Sequence, residues 1–212
     1  MASGVVFQPN TIVDHKAYQT KPVTGSPTET VNYTLESTGG ISKVGWLNSV
    51  RIGKPLYLGL EASYNFGTIF RDTTTSLSTT ASSLLRNSNR LHLTGFGLKP
   101  AVAFQQKLSD KWQLNIGGTY EFVSNLSGEN LRTFSTLSDA GNGPALTRVP
   151  DTLSIRSVSA TLPSSYRLGI SLESSFKWIF AAEYSYKEWS KFKDINGAAS
   201  SFMQDAQEFN VG

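Results

Sequence analysis

Cysteine is absent from the 212 residues. That excludes disulfide staples and thiolate metal sites, and it suits a protein that crosses an oxidising compartment. Charge is scarce: Lys, Arg, Asp and Glu make up 17% of the chain, with a net charge of +3. The basic residues form no stripe, so nucleic-acid binding has no electrostatic footprint. No run of about 18 apolar residues exists, which excludes a transmembrane helix. No leader pattern opens the chain. "MASG" runs straight into the strand-like "GVVFQP", which leaves a longer precursor open. No window carries helical spacing. Apolar residues reach only 39%, low for a soluble domain. Yet 4 Trp, 8 Tyr and 12 Phe are many for a chain that never packs.

Alternation with period two is what the sequence has in abundance. Trp112–Phe122, "WQLNIGGTYEF", sets Trp112, Leu114, Ile116, Tyr120 and Phe122 against Gln113, Asn115, Thr119 and Glu121. Tyr57–Thr68, "YLGLEASYNFGT", Tyr166–Glu173, "YRLGISLE", and Trp178–Tyr186, "WIFAAEYSY", repeat the pattern. Short turns are expected over Gly53–Pro55, Ser109–Lys111 and Glu173–Phe176, and long polar loops over Arg71–Asn89 and Ser127–Asp151. Tight turns at one end and long loops at the other are the habit of outer-membrane barrels. Eight strands are read, at about 3–18, 30–52, 56–70, 90–108, 112–124, 152–173, 177–190 and 205–212. Eleven residues at a ~3.4 Å rise make roughly 37 Å, enough at a tilt of about 40° to cross a ~25 Å apolar band.

The predicted fold is therefore all-β, an antiparallel transmembrane β-barrel occupying 1–212 as a single domain. Trp112, Tyr120, Phe122, Trp178, Phe180, Tyr184, Tyr186 and Trp189 are assigned to the lipid-facing side and its aromatic belt. Glu61, Glu121, Arg167, Glu173 and Glu183 fall on the other face and are expected to line the lumen. A basic group facing mid-bilayer would cost ~2–4 kcal/mol, so inward placement is nearly forced. Pro163 breaks a strand pattern and marks either a kink in the wall or a strand start; Pro100 poses the same choice. His15 and His92 stand alone, so neither a metal site nor a cofactor is expected. "DAGNG" (Asp139–Gly143) reads as a turn before it reads as a calcium loop, and Thr73–Ser83 as a solvated segment. No catalytic triad, P-loop or dinucleotide motif is present, so no enzyme is expected.

The segment Leu162–Asp194, "LPSSYRLGISLESSFKWIFAAEYSYKEWSKFKD", resembles the late-barrel signature of the FadL-type outer-membrane long-chain fatty-acid transporters. Its elements are Leu162-Pro163, Tyr166–Ser171, Trp178 and Tyr186…Trp189-Ser190…Phe192. Ser37–Gly67 is more loosely similar to members from Bacteroidota. The resemblance implies a fourteen-stranded barrel in the outer membrane of a Gram-negative bacterium, of which this chain is part, its hatch and closing strands not seen. It implies passive uptake of hydrophobic small molecules, with membrane lipid and such a ligand as partners. Two alternatives stay open. One is a structural or partner-binding barrel within a larger outer-membrane secretion or assembly complex, in contact with other outer-membrane proteins. The other is a soluble β-sandwich with the same alternation.

Overall fold

The computed structural model describes residues 1–26, 28–79, 83–139, 141, 143–174, 177–199 and 202–212. They form one antiparallel sheet of strands β1 (Ala2–Pro22), β2 (Thr30–Ile52), β3 (Leu56–Leu77), β4 (Ser83–Lys107), β5 (Trp112–Glu121), β6 (Ser124–Asp139), β7 (Pro144–Leu146), β8 (Asp151–Leu162), β9 (Ser165–Ser174), β10 (Trp178–Lys187) and β11 (Ala206–Val211). A single 3-10 turn, Trp189–Lys191, follows β10. Two pairs of these strands share a path. β4 pairs with β5 through Ala101–Lys107 and with β6 through Ser83–Gly95. β9 and β8 follow in the same way beside β5 and β6. Eight strand positions therefore cross the sheet, as the alternation predicts, and the sheet is curled into a half-barrel.

The expected long loops are corrected. β3 runs on to Leu77 and β4 begins at Ser83, so most of Arg71–Asn89 is paired strand. β6 takes Ser124–Asp139 out of the second expected loop. Both segments are rich in Ser, Thr and Asn, yet their backbones stay in a paired ladder. Residues 80–82, 175–176, 140 and 142 lie outside the described residues. That leaves part of Thr73–Ser83, the tip of the Glu173–Phe176 turn and two positions of Asp139–Gly143 undescribed.

The two faces differ in chemistry. On the convex face one cross-strand row reads Val50, Leu58, Val102, Gly118, Leu168, Tyr184 and Phe209. The next reads Ile52, Leu56, Phe104, Ile116, Ile170, Ala182 and Val211. Leu58, Val102, Leu168, Ile170 and Phe209 are exposed despite being apolar. Most of the buried residues lie on the concave face. There Ile41, Ile69, Leu91, Leu93, Leu126 and Ala160 form one aliphatic cluster, with Val13, Val158, Leu162 and Ile195 packed against it.

Glycine decides how tightly the wall coils beside that cluster. A Cβ on Gly67 would sit 2.1 Å from the carbonyl oxygen of Gly40, and one on Gly128 1.8 Å from that of His92. Gly39 takes φ 107°, which side chains avoid. Gly39, Gly40, Gly67, Gly95 and Gly128 all sit where a neighbouring backbone approaches closely. Gly67→Ala should therefore cost about 3 kcal/mol or more, through backbone displacement. Gly117→Ala, whose new methyl meets nothing closer than Val102 O at 3.6 Å, should stay within about 0.5 kcal/mol of the parent. Urea unfolding in detergent micelles, read by heat-modifiable gel mobility, measures both; equal effects would refute the assigned cause.

Candidate functional site on the concave face

Below the aliphatic cluster, one concave row carries alternating charge. Glu61 on β3 stands opposite Lys99 on β4. Phe122 N–H donates to Leu98 O at 3.0 Å, which extends the β4–β5 register and sets Lys99 beside Glu121. Glu121 faces Ser165, and Ser165 faces Lys187 on β10. Lys43, four residues along β2 from the position opposite Glu61, reaches into the row.

The contacts are close. Lys43 Nζ lies 2.7 Å from Glu61 Oε1 and Lys99 Nζ 2.6 Å from Glu61 Oε2. Lys43 and Glu61 are 4% and 5% exposed. Gly45 makes room for them: a Cβ there would meet the Glu61 side chain at 3.3 Å. Lys43 also comes within 4.0 Å of Glu121 Oε1, although β2 and β5 are three strands apart. At ~4.8 Å per strand, that contact requires the wall to curl until its side chains meet across the concave side. Ser165 Oγ donates to Glu121 Oε2 at 3.3 Å. Two carboxylates against three ammonium groups leave the row with one excess positive charge, at the Lys187 end. Lys187 rests over the Trp189 ring, 4.3 Å from its centroid.

Further down, the concave face is lined by small residues. Gly59, Ala101, Ala103, Gly117, Gly169 and Ala181 line an open trough of ≈ 780 Å³. Arg167 and Glu183 pair on its wall at 3.5 Å. Asn115 Nδ2 donates to Glu173 Oε1 at 2.7 Å.

All five residues predicted to line the lumen thus share the concave face, but they do not form one site. Glu61 and Glu121 belong to the charge row, Arg167 and Glu183 form a separate exposed pair, and Glu173 joins an amide network. Sequence reasoning missed Lys43, Lys99 and Lys187. The signal was there: Lys43 alternates with Val44 and Trp46, and Lys99 with Leu98 and Pro100. Pro163 lies between β8 and β9, beside the buried Ser164. Pro100 sits within β4, opposite Leu60.

Trp112, Tyr120, Phe122, Trp178, Phe180, Tyr184 and Tyr186 are exposed or half-buried. Tyr120, Tyr166 and Tyr186 make one row, and Trp112 and Trp178 flank Ser174 in another. Trp189 is corrected. It sits in the 3-10 turn, off the strand, packed with Phe192 at 6.1 Å. Among the described residues no three His, Asp or Glu side chains converge as a metal site.

A segment after β10 leans onto the break in the wall. Ile195 packs on the aliphatic cluster. Glu188 N–H donates to Ser164 O at 3.1 Å, and the Ser164 hydroxyl donates to the Glu188 carboxylate. The Lys191 ammonium, with Ser164, holds the Glu188 carboxyl below the usual carboxylate range.

A curled antiparallel wall, greasy outside and ionic within, defines a protein of the all-β barrel class. The family model for BamG matches residues 1–212, and the chain belongs to the BamG family. Comparisons with curated proteins and with solved structures find no match. The resemblance to FadL-type transporters is thereby corrected: the whole-chain match is to a family associated with the outer-membrane assembly (BAM) complex. The fourteen-strand count and the hydrophobic ligand came with that resemblance and lose their support with it.

Removing one partner of a buried ion pair costs about 3–5 kcal/mol. Glu61→Gln is expected near the low end, about 3 kcal/mol, because Lys99 keeps some contact with water. Lys43→Met/Glu61→Met should recover much of that loss, since it removes the fully buried ammonium and leaves only the part-exposed Lys99 without its partner. Urea midpoints of the two variants decide the point: a double variant as unstable as the single one would show that packing, not charge, sets the cost.

Proposed function

We propose that the protein is a non-transporting barrel subunit of the outer-membrane assembly machinery, working in contact with other proteins of that complex in the outer membrane of a Gram-negative bacterium. The observation that carries this reading is the BamG family match over the full chain. The concave face supports it. A conduit for hydrophobic molecules needs an apolar path, whereas here Lys43, Glu61, Lys99 and Glu121 reach across the curl. An apolar solute passing that row would have to part ion pairs without replacing them.

The convex face supports placement in lipid. The Trp112/Trp178 row and the Tyr120/Tyr166/Tyr186 row are eight positions apart along the strands. At a ~3.4 Å rise and a tilt of about 40° they stand roughly 21 Å apart, close to the height of an apolar band with aromatic girdles. In this reading the rows are the two membrane interfaces, and the apolar side chains between them face hydrocarbon.

Two measurements test the proposal. Affinity purification of the tagged protein after mild solubilisation of the envelope should bring down other outer-membrane assembly proteins in fixed proportion; a lone monomer would overturn it. Ile170→Arg, in the middle of the convex band, should destabilise the lipid-embedded fold by about 2–4 kcal/mol. The same change should cost far less in a protein that keeps this face in water. Unfolding titrations in liposomes give the figure.

A further inference from the structure

β8 pairs with β6 along one edge, through Asp151–Leu162. The other edge is covered at a single point. Thr161 N–H donates to Lys193 O at 3.0 Å, and Lys193 N–H to Thr161 O at 3.3 Å, as an antiparallel bridge. β10 pairs with β9 as far as Lys187 and does not continue beside β8. After Lys193 the chain turns away through Asp194–Gly197, where Asp194 Oδ1 accepts from Asn196 N–H and Ala198 N–H. Among the described residues, Asp151–Ala160 therefore has no strand on this side. The gap lies inside the chain, between ordered neighbours.

This edge is unguarded. Strands that must stay single carry lysine, proline or a twist-inducing bulge on the open side. Asp151–Ala160, "DTLSIRSVSA", has no lysine and no proline; its bulge is confined to Leu153, and Ser154–Ala160 runs on as a regular open edge. Ile155, opposite Leu131, stands on its convex side, and Leu153 is the bulged residue; they are 60% and 54% exposed. On its concave side Arg156, opposite Asn130, has no carboxylate within ion-pair distance among the described residues. The row of free N–H and C=O groups has a shape that only another extended backbone matches, as in recognition by strand addition.

We infer that the free edge of β8 is a docking site for an extended segment of another polypeptide of the assembly complex, added antiparallel to β8 along the track that Lys193 begins. The segment would alternate apolar residues, facing Leu153 and Ile155, with polar ones, and would bring a carboxylate to Arg156. This inference rests on the reading of the protein as a complex subunit.

The test uses the full-length protein in its own envelope. A photo-reactive benzoylphenylalanine is placed at Leu153, Ile155 or Ser157, and at Thr74 in the interior of the sheet as a control. Irradiation should give one discrete heavier adduct from the three β8 positions and none from Thr74. The variant L153K/I155K, which puts guard charges on the edge, should lower recovery of the complex about tenfold. Its heat-modifiable folding should be unchanged. Arg156→Glu should weaken recovery without loss of fold. No adduct together with undiminished recovery from L153K/I155K would overturn the docking site while leaving the subunit reading intact. An adduct with a second copy of this chain would overturn the assigned partner. A wild-type protein that brings down no complex would remove the reading beneath both.

Discussion

The curvature of the wall depends on a contact that only hydrogen can make: the Cα of Gly67 against the carbonyl oxygen of Gly40. A flat sheet would hold the aliphatic residues of β2, β3, β4, β6 and β8 in a line, each half wet. Coiled, the same residues meet as a cluster, and Leu126 falls to 1% exposure. Backbone strain at Gly39 and close approach at Gly40, Gly95 and Gly128 spread one bend over several strands. The hydrophobic gain is real but local. It belongs to a stripe across the wall and not to a core that fills a closed interior.

The same curl solves a problem of charge. A lysine or glutamate on one face of a membrane wall must look inward, and an inward charge surrounded by polar groups is tolerable only if it is paired. Cross-strand neighbours alone would pair Glu61 with Lys99. Curvature adds Lys43 and brings Glu121 within reach, so the carboxylate of Glu61 is contacted from two sides. The Lys43–Glu61 contact is a close ion pair more than an aligned hydrogen bond, which fits a role in neutralising charge. Where the row ends, at Lys187, an aromatic ring replaces the missing carboxylate.

Much of the wall was legible from the alternation, because a face in hydrocarbon and a face in water leave a period-two record whatever else a strand does. Trp112–Phe122 and Trp178–Tyr186 lie in strands as read, and Glu61, Glu121, Arg167, Glu173 and Glu183 do share a face. The record fails where polar residues are spread over both faces. The far part of β3, the start of β4 and all of β6 carry Ser, Thr, Asn and Arg on both sides, so they read as loop although their ladders are complete. Lys43 and Lys99 escaped because their pairing depends on the curl, which no single strand encodes. The resemblance misled because it was carried mainly by Leu162–Asp194, whereas the family model spans residues 1–212.

The wall also changes character along its length, and this separates what lipid dictates from what partners would. Near the short turns, both neighbours of every central strand are present and the convex rows are unbroken from β2 to β11. Past Phe122-Val123 on one path and Pro163-Ser164 on the next, β5 gives way to β6 and β9 to β8, and among the described residues no strand lies beyond β8. Pro163 cannot donate a ladder hydrogen bond, so pairing must end or shift there. The segment after Lys187 takes the opportunity to leave the sheet and bind the break, through Ser164, Thr161 and Ile195. In hydrocarbon such a departure would strand backbone groups without partners. Beyond the tyrosine row it is affordable, because water or another backbone can satisfy them. In the proposed placement, the end of regular pairing marks the level at which the wall would stop answering to lipid, and what lies beyond it would be free to answer to protein.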